Sequence, residues 1–267
     1  MKRYFSFPLF LSFIIIISSC TKSNIEPKPL IPYQKIGEAY ALGAGTKVEL
    51  YATQSLTTGY NTLYIALLDS VSKEAIENAE ITLLPLMDMG TMKHSSPVEN
   101  PAQTAVNKLF GSGIVFTMAS GSMGSWTVEV AVQHGGKKGK ATLPLTVTES
   151  AKSRIKSFVS KADNSKYIVA LVQPEAPKVG VNNFELAIYK AKSGMDFPAD
   201  SSLAVTLTPE MPTMGHGSPN NVDPTHTSKG HYKGKVNFTM TGLWHLNLEF
   251  ISGTTLADAG NYFEINF

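Results

Sequence analysis

The chain has 267 residues, 43% of them hydrophobic, with 23 basic side chains against 21 acidic ones. That length accommodates two domains of ordinary size, and the near-balance of charge, with no polybasic run, leaves nucleic-acid binding without an electrostatic basis. One cysteine, Cys20, excludes an internal disulfide.

The first element is a secretory signal over residues 1–19. Lys2 and Arg3 form a positive start, and the apolar run from Phe5 to Ile17 follows it. The run is shorter than the roughly 20 residues a bilayer span needs. It ends in Ile17-Ser18-Ser19-Cys20, which resembles the lipobox of bacterial lipoproteins, so Cys20 is expected to carry lipid and to become the mature N-terminus. Cleavage removes Lys2 and Arg3, which leaves 21 basic residues facing 21 acidic ones and a formally neutral mature chain. The expected location is the cell envelope, facing the periplasm. Thr21 offers no aspartate-type retention cue, which favours the outer membrane. With Cys20 lipidated, no thiol is left as nucleophile or metal ligand.

Residues 20–45 read as a polar tether with Pro27, Pro29 and Pro32. Beyond it the chain repeats itself. Met89-Gly-Thr-Met92-Lys-His94 returns as Met211-Pro-Thr-Met214-Gly-His216, a separation of 122 residues. The same separation relates Pro97 to Pro219, Phe116 to Phe238 and Met118 to Met240, and each copy then reaches a Gly-x-Trp, at Trp126 and Trp244. The expected domains are 46–149 and 150–267, divided in the polar stretch Glu149–Arg154.

Both copies alternate apolar and polar residues with period two. Trp126, Val128, Val130 and Val132 form one such face, and Trp244, Leu246, Leu248 and Phe250 another. Short strands divided by glycine, asparagine and proline, with no long helical period, predict an all-β fold of two tandem immunoglobulin-like β-sandwiches.

The repeated Met-x-x-Met-x-His carries the chemistry. Two thioethers and an imidazole form a soft-to-borderline donor set suited to Cu(I). Met214 and His216 project to one side of an extended segment, and Pro212 and Gly215 permit a turn that brings Met211 back to them. His226 and His231, in the following loop, are expected to complete this second set. The first set, Met89, Met92 and His94, has Thr104 and Leu109 at the corresponding positions and reads as the poorer one. Met87 and Met123 either assist the first site or pack. Met118, Met240 and both tryptophans are expected in the core, and His134 and His245 in solvent. The competing reading is that methionines here fill irregular gaps in the core, which would make the protein an interaction or scaffold module. Asp88 and Asp223 lie near the loops without defining a catalytic pair. HExxH, GxSxG, Walker A and strand–helix GxGxxG patterns are all missing, so no enzymatic activity is expected.

Met211, Pro212, Met214, His216 and Gly217, followed by Gly230, Tyr232, Gly242 and Trp244, resemble the YtkA-like domain family, which is related to the FixH-like proteins. Residues 81–132 carry the likeness less fully, since Gly90 stands where the motif has proline and Phe110 where it has tyrosine. The resemblance implies an immunoglobulin-like sandwich outside the cytoplasm and a loose association with copper handling or oxidase assembly. Copper is therefore the expected cofactor. The expected partners are a membrane, through the lipid on Cys20, and another envelope protein.

Overall fold

A strand whose side chains alternate between apolar and polar has one face that must be covered, and a second sheet is the covering available to this chain. The computed structural model describes residue 1 and residues 33–267. The signal segment, Cys20 and most of the expected tether lie outside the described residues.

The first sandwich is built from β1 (Gln34–Ala41), β2 (Thr46–Ala52), β3 (Leu56–Thr57), β4 (Gly59–Asp69), β5 (Glu80–Asp88), β6 (Lys93–His94), β7 (Val98–Glu99), β8 (Phe110–Phe116), β9 (Ser125–His134), β10 (Lys137–Leu145) and β11 (Val147–Thr148). The second contains β12 (Ile155–Val159), β13 (Lys166–Gln173), β14 (Gly180–Ala191), β15 (Leu203–Met211), β16 (His216–Gly217), β17 (Val222–Ser228), β18 (His231–Phe238), β19 (Leu243–Ser252) and β20 (Thr255–Asn266). The five-stranded sheet β1-β2-β4-β8-β7 of the first has its counterpart in β12-β13-β14-β18-β17, and the four-stranded β10-β9-β5-β6 in β20-β19-β15-β16. Both halves are immunoglobulin-like sandwiches with one strand order. Among the described residues the only helical element is a 3-10 turn, Leu42–Ala44.

Trp126, Val128, Val130 and Val132 of β9 face inward and are fully buried, as are Trp244, Leu246, Leu248 and Phe250 of β19. Each such side chain contributes about 1.5–3 kcal/mol of transfer free energy. The tryptophans anchor their cores as expected, with Phe116 5.2 Å from Trp126 and Phe238 5.5 Å from Trp244.

Three expectations are corrected. The stretch read as tether becomes structure by Gln34: β1 pairs antiparallel with β2, and Ala41 and Ala44 are buried in the first core. Its polar residues are the outward face of an edge strand. His134 ends β9 at a two-residue Gly135-Gly136 turn with positive φ at both glycines. It is half-buried rather than exposed, because its Nε2 meets Thr46 Oγ1 at 2.8 Å. His245 is also half-buried, stacked on Tyr262 at 4.2 Å.

The two sandwiches meet through their five-stranded sheets. Tyr60 and Val115 of the first pack with Ile168, Ala170, Ala187 and Tyr189 of the second. A polar cluster sits beside this apolar contact. Glu99 on β7 accepts hydrogen bonds from Tyr189 Oη at 2.6 Å and from His231 Nε2 at 2.8 Å. The other ring nitrogen, Nδ1, reaches Glu185 Oε1 at 2.7 Å. Only an imidazolium donates from both nitrogens. Burial opposes charging of this ring, yet Glu99 and Glu185 outweigh it and raise the His231 pKa above 6.5. Burial likewise opposes ionisation of Glu99, and the His231 and Tyr189 hydrogen bonds overcome it and lower that pKa below 4.5.

The raised His231 pKa gives stability that is complete below the ring's unfolded value and is lost as pH climbs through the folded one. The lowered Glu99 pKa gives stability that is complete above the unfolded carboxyl value and is lost as pH falls through the folded one. Melting curves of wild type and His231→Gln are therefore expected to differ most between pH 4.5 and 6.5, the two reference values, and to converge on either side. A pH-independent difference would rule out an imidazolium at this interface.

Candidate metal centre

Each Met/His motif occupies a β-hairpin at the rim of its four-stranded sheet. In the first, Met87 pairs with His94 across β5 and β6, and in the second Met211 pairs with His216 across β15 and β16. The strand before the hairpin fixes the equivalence. Pro85 lies opposite Val128, and Pro209 opposite Leu246. Met87 and Met211 each stand two residues beyond their proline, so Met87, not Met89, is the counterpart of Met211. The separation is 124 residues before the hairpin and 122 after it, because the second turn is two residues shorter. Sequence matching had aligned the turn methionine Met89 with the strand methionine Met211.

These equivalent methionines belong to the core. Met87 is fully buried and Met211 is 4% exposed. Both pack on the glycine before the tryptophan. A Cβ built on Gly124 would lie 3.1 Å from Met87 Cε, and one on Gly242 2.8 Å from Met211 Cε. Gly242 also has φ +130, a conformation other residues rarely adopt. The Gly-x-Trp of each copy is thus a packing requirement. Met89 is half-buried against the first core. Met92 and Met214, two residues before each histidine, are both 58% exposed.

The histidines are held alike in the two copies. His94 Nδ1 lies 2.9 Å from the Ser95 carbonyl oxygen, and His216 Nδ1 lies 2.9 Å from that of Gly217. A carbonyl only accepts, so Nδ1 carries a proton, and in the neutral ring the lone pair is then on Nε2. This is the arrangement by which a backbone carbonyl orients an imidazole for a metal. Each ring stands edge-on to its tryptophan, His94 to Trp126 at 5.6 Å and His216 to Trp244 at 6.0 Å. The indoles are themselves fixed, Nε1 donating to the carbonyl of Met118 at 2.9 Å and of Met240 at 3.1 Å.

His226 and His231 do not join this site. HTSKGHY is a hairpin between β17 and β18, turned at Lys229-Gly230 with both φ values positive. A Cβ on Gly230 would come within 2.5 Å of the Ile188 carbonyl. His231 therefore opens β18 at the interface between the sandwiches. Phe238, which touches Trp244, closes the same strand seven residues on, about 23 Å away at 3.3 Å per residue. His226 is exposed opposite Tyr232, at the His231 end. A loop folded back on the motif was the expectation; strand pairing carries it the other way.

The acidic residues near the hairpins have other partners. Asp88 pairs with Lys93 at 2.8 Å, and Asp223 accepts the Leu207 N–H at 2.8 Å. Among the described residues no three His, Cys, Asp or Glu side chains cluster as a metal site. The donor set left at each rim is one imidazole nitrogen and one exposed thioether, which fits a soft ion and not a hard one. Sequence reading missed two contributors. It read the tryptophans as core alone, although they also wall the histidines. It placed Met118 and Met240 in the core: Met118 does pack, half-buried, against the first core, whereas Met240, two residues past the end of β18 at Phe238, is 39% exposed beside the indole. The joint recurrence of His and Gly-x-Trp in both copies was the signal available.

The fold is thus a tandem of immunoglobulin-like sandwiches with a Met/His hairpin on each. The YtkA-like family model matches residues 161–249, a span that includes the second hairpin and Trp244. The second sandwich carries a YtkA-like domain. No curated protein matches the chain. Among solved structures it is similar to FdeC, an Escherichia coli adhesin, at 14% identity and a TM-score of 0.27, over 86% of this chain and 65% of that one. Domains 5–6 of the S-layer protein SbsC align at 10% identity and a TM-score of 0.29, over 86% and 96% of the two chains. A chimeric titin Z1Z2 tandem aligns at 13% identity and a TM-score of 0.19, over 86% and 97%.

Because one methionine of the second hairpin is buried and the other exposed, their truncations should separate. Met211→Ala is expected to cost about 2–5 kcal/mol in chemical denaturation, and Met214→Ala to stay within about 0.5 kcal/mol of wild type. Equal losses would show that Met214 packs as Met211 does.

Proposed function

We propose that this protein is a non-enzymatic, lipid-anchored module of the cell envelope that binds Cu(I) at the hairpin rims of its sandwiches, to sequester the ion or pass it to another envelope protein. One observation carries the reading. In both sandwiches an imidazole is clamped between a tryptophan edge and a backbone carbonyl, with Nε2 left as the free ring nitrogen two residues from an exposed thioether. The residues that would hold the ion are His216 with Met214, and His94 with Met92. Met211 and Met89 lie beneath them as packing. Bound Cu(I) would supply its affinity for soft ligands. So few donors at an exposed rim leave coordination positions open to a partner's side chains, as hand-over requires. Placement outside the cytoplasm is supported by the lipobox-like Ile17-Ser18-Ser19-Cys20, and the outer membrane by Thr21, which offers no aspartate-type retention cue. No helix among the described residues is long and apolar enough to cross a membrane.

A second reading is an interaction or scaffold module. The burial of Met87 and Met211 against Gly124 and Gly242 favours it, since there the repeated methionine serves the core.

Titrating the mature protein with Cu(I) against a competing chelator tests both readings. A His94→Gln/His216→Gln variant is expected to bind at least ten-fold more weakly and to melt near the wild-type temperature. Equally weak binding by both proteins, with a lowered melting temperature in the variant, would leave the scaffold reading standing alone.

A further inference from the structure

The two hairpin rims have different surroundings, and the difference supplies a donor. On the first, Ser95 donates its N–H to the carbonyl of Gly194, which lies on the β14–β15 connection of the second sandwich, at 2.7 Å. A Cβ on Gly194 would stand 3.8 Å from His94 Cβ. Ser95 is also the residue whose carbonyl holds the His94 ring. One short segment of the second sandwich thus rests directly on the clamped histidine. The next residue along it is Met195, 48% exposed, its own N–H bonded to Ser193 Oγ at 3.2 Å. Beside this contact a cavity of about 550 Å³ opens between the sandwiches, and His94, Met118, Ser193 and Gly194 are among its lining residues. Among the described residues the second rim shows no counterpart of this contact: Gly217, the counterpart of Ser95, pairs with Glu210 of its own hairpin.

We infer that Met195 is a third soft donor for the first rim, so that a Cu(I) ion held by His94, Met92 and Met195 joins the two sandwiches. The inference rests on the copper reading above and extends it to two unlike sites. The second, His216 with Met214, is open and two-donor, suited to exchange. The first is composite, drawn from both halves of the chain, and retains its ion more firmly. Thioether coordination needs no proton release, so recruiting the Met195 sulfur adds no deprotonation step. A site closed by two packed bodies also loses less freedom on binding than one closed by a loose loop.

The test is Cu(I) competition titration of the mature protein in two backgrounds. In His216→Gln, which retains only the first site, Met195→Leu should weaken binding ten-fold or more. In His94→Gln, which retains only the second, it should change nothing. Leucine nearly conserves the volume of methionine at this half-exposed position, so melting temperatures should be unaltered. Undiminished binding by His216→Gln/Met195→Leu would overturn this inference alone, and so would an equal loss in both backgrounds. If neither background binds Cu(I) to begin with, the copper reading falls and this inference with it.

Discussion

Each sandwich is closed by a tryptophan that cannot be moved without disturbing everything around it. Trp126 and Trp244 lie fully buried between sheets, with their indole N–H groups bonded to the carbonyls of Met118 and Met240. A buried indole that kept its apolar contacts and lost that bond would carry an unsatisfied donor costing about 1–3 kcal/mol. The hydrogen bond therefore fixes how the residues after β8 and β18 pass over the rim. The indole edge in turn sets the plane of the histidine. The glycine two residues before each tryptophan, Gly124 and Gly242, is filled against by a methionine methyl from the neighbouring strand. Core and candidate site are thus one piece of packing, and the orientation of each histidine is inherited from the core.

This coupling explains why the repeated methionines divide into two kinds. Those facing inward at the strand end, Met87 and Met211, fill the gap over the glycine, a use that suits an unbranched and flexible side chain. Those at the turn, Met92 and Met214, extend into solvent. An exposed thioether gains little from packing, and its recurrence two residues before a pre-oriented imidazole is what supports the proposed copper reading.

The contact between sandwiches makes the copies unequal. An apolar face built from β4, β8, β13 and β14 brings them together, and the Glu99–His231–Glu185 chain fixes their register with charge. Removing one partner of such a buried group is costly because it strands the others. The same docking lays the segment at Gly194 on the first hairpin, a contact that the second hairpin lacks among the described residues. Two copies of one motif thereby acquire different environments with little change in the motif itself.

The sequence by itself determined the all-β class and the inward faces of β9 and β19. Each of these depends on local periodicity or on residue type, which the chain displays directly. Tertiary structure decided which side chains meet. The 122-residue match could not show that Met87 replaces Met89, because a change of two residues in a turn is visible only once strand pairing fixes the register. Nor could it place His231, whose ring is drawn from the second copy's loop into a cluster with Glu99, 132 positions earlier. Met195 gave no signal at all, since its nearness to His94 exists only through the docking of one sandwich on the other. Periodicity is a property of neighbours along the chain. A binding site is a property of neighbours in space, and here those neighbours were chosen by the packing of sheets.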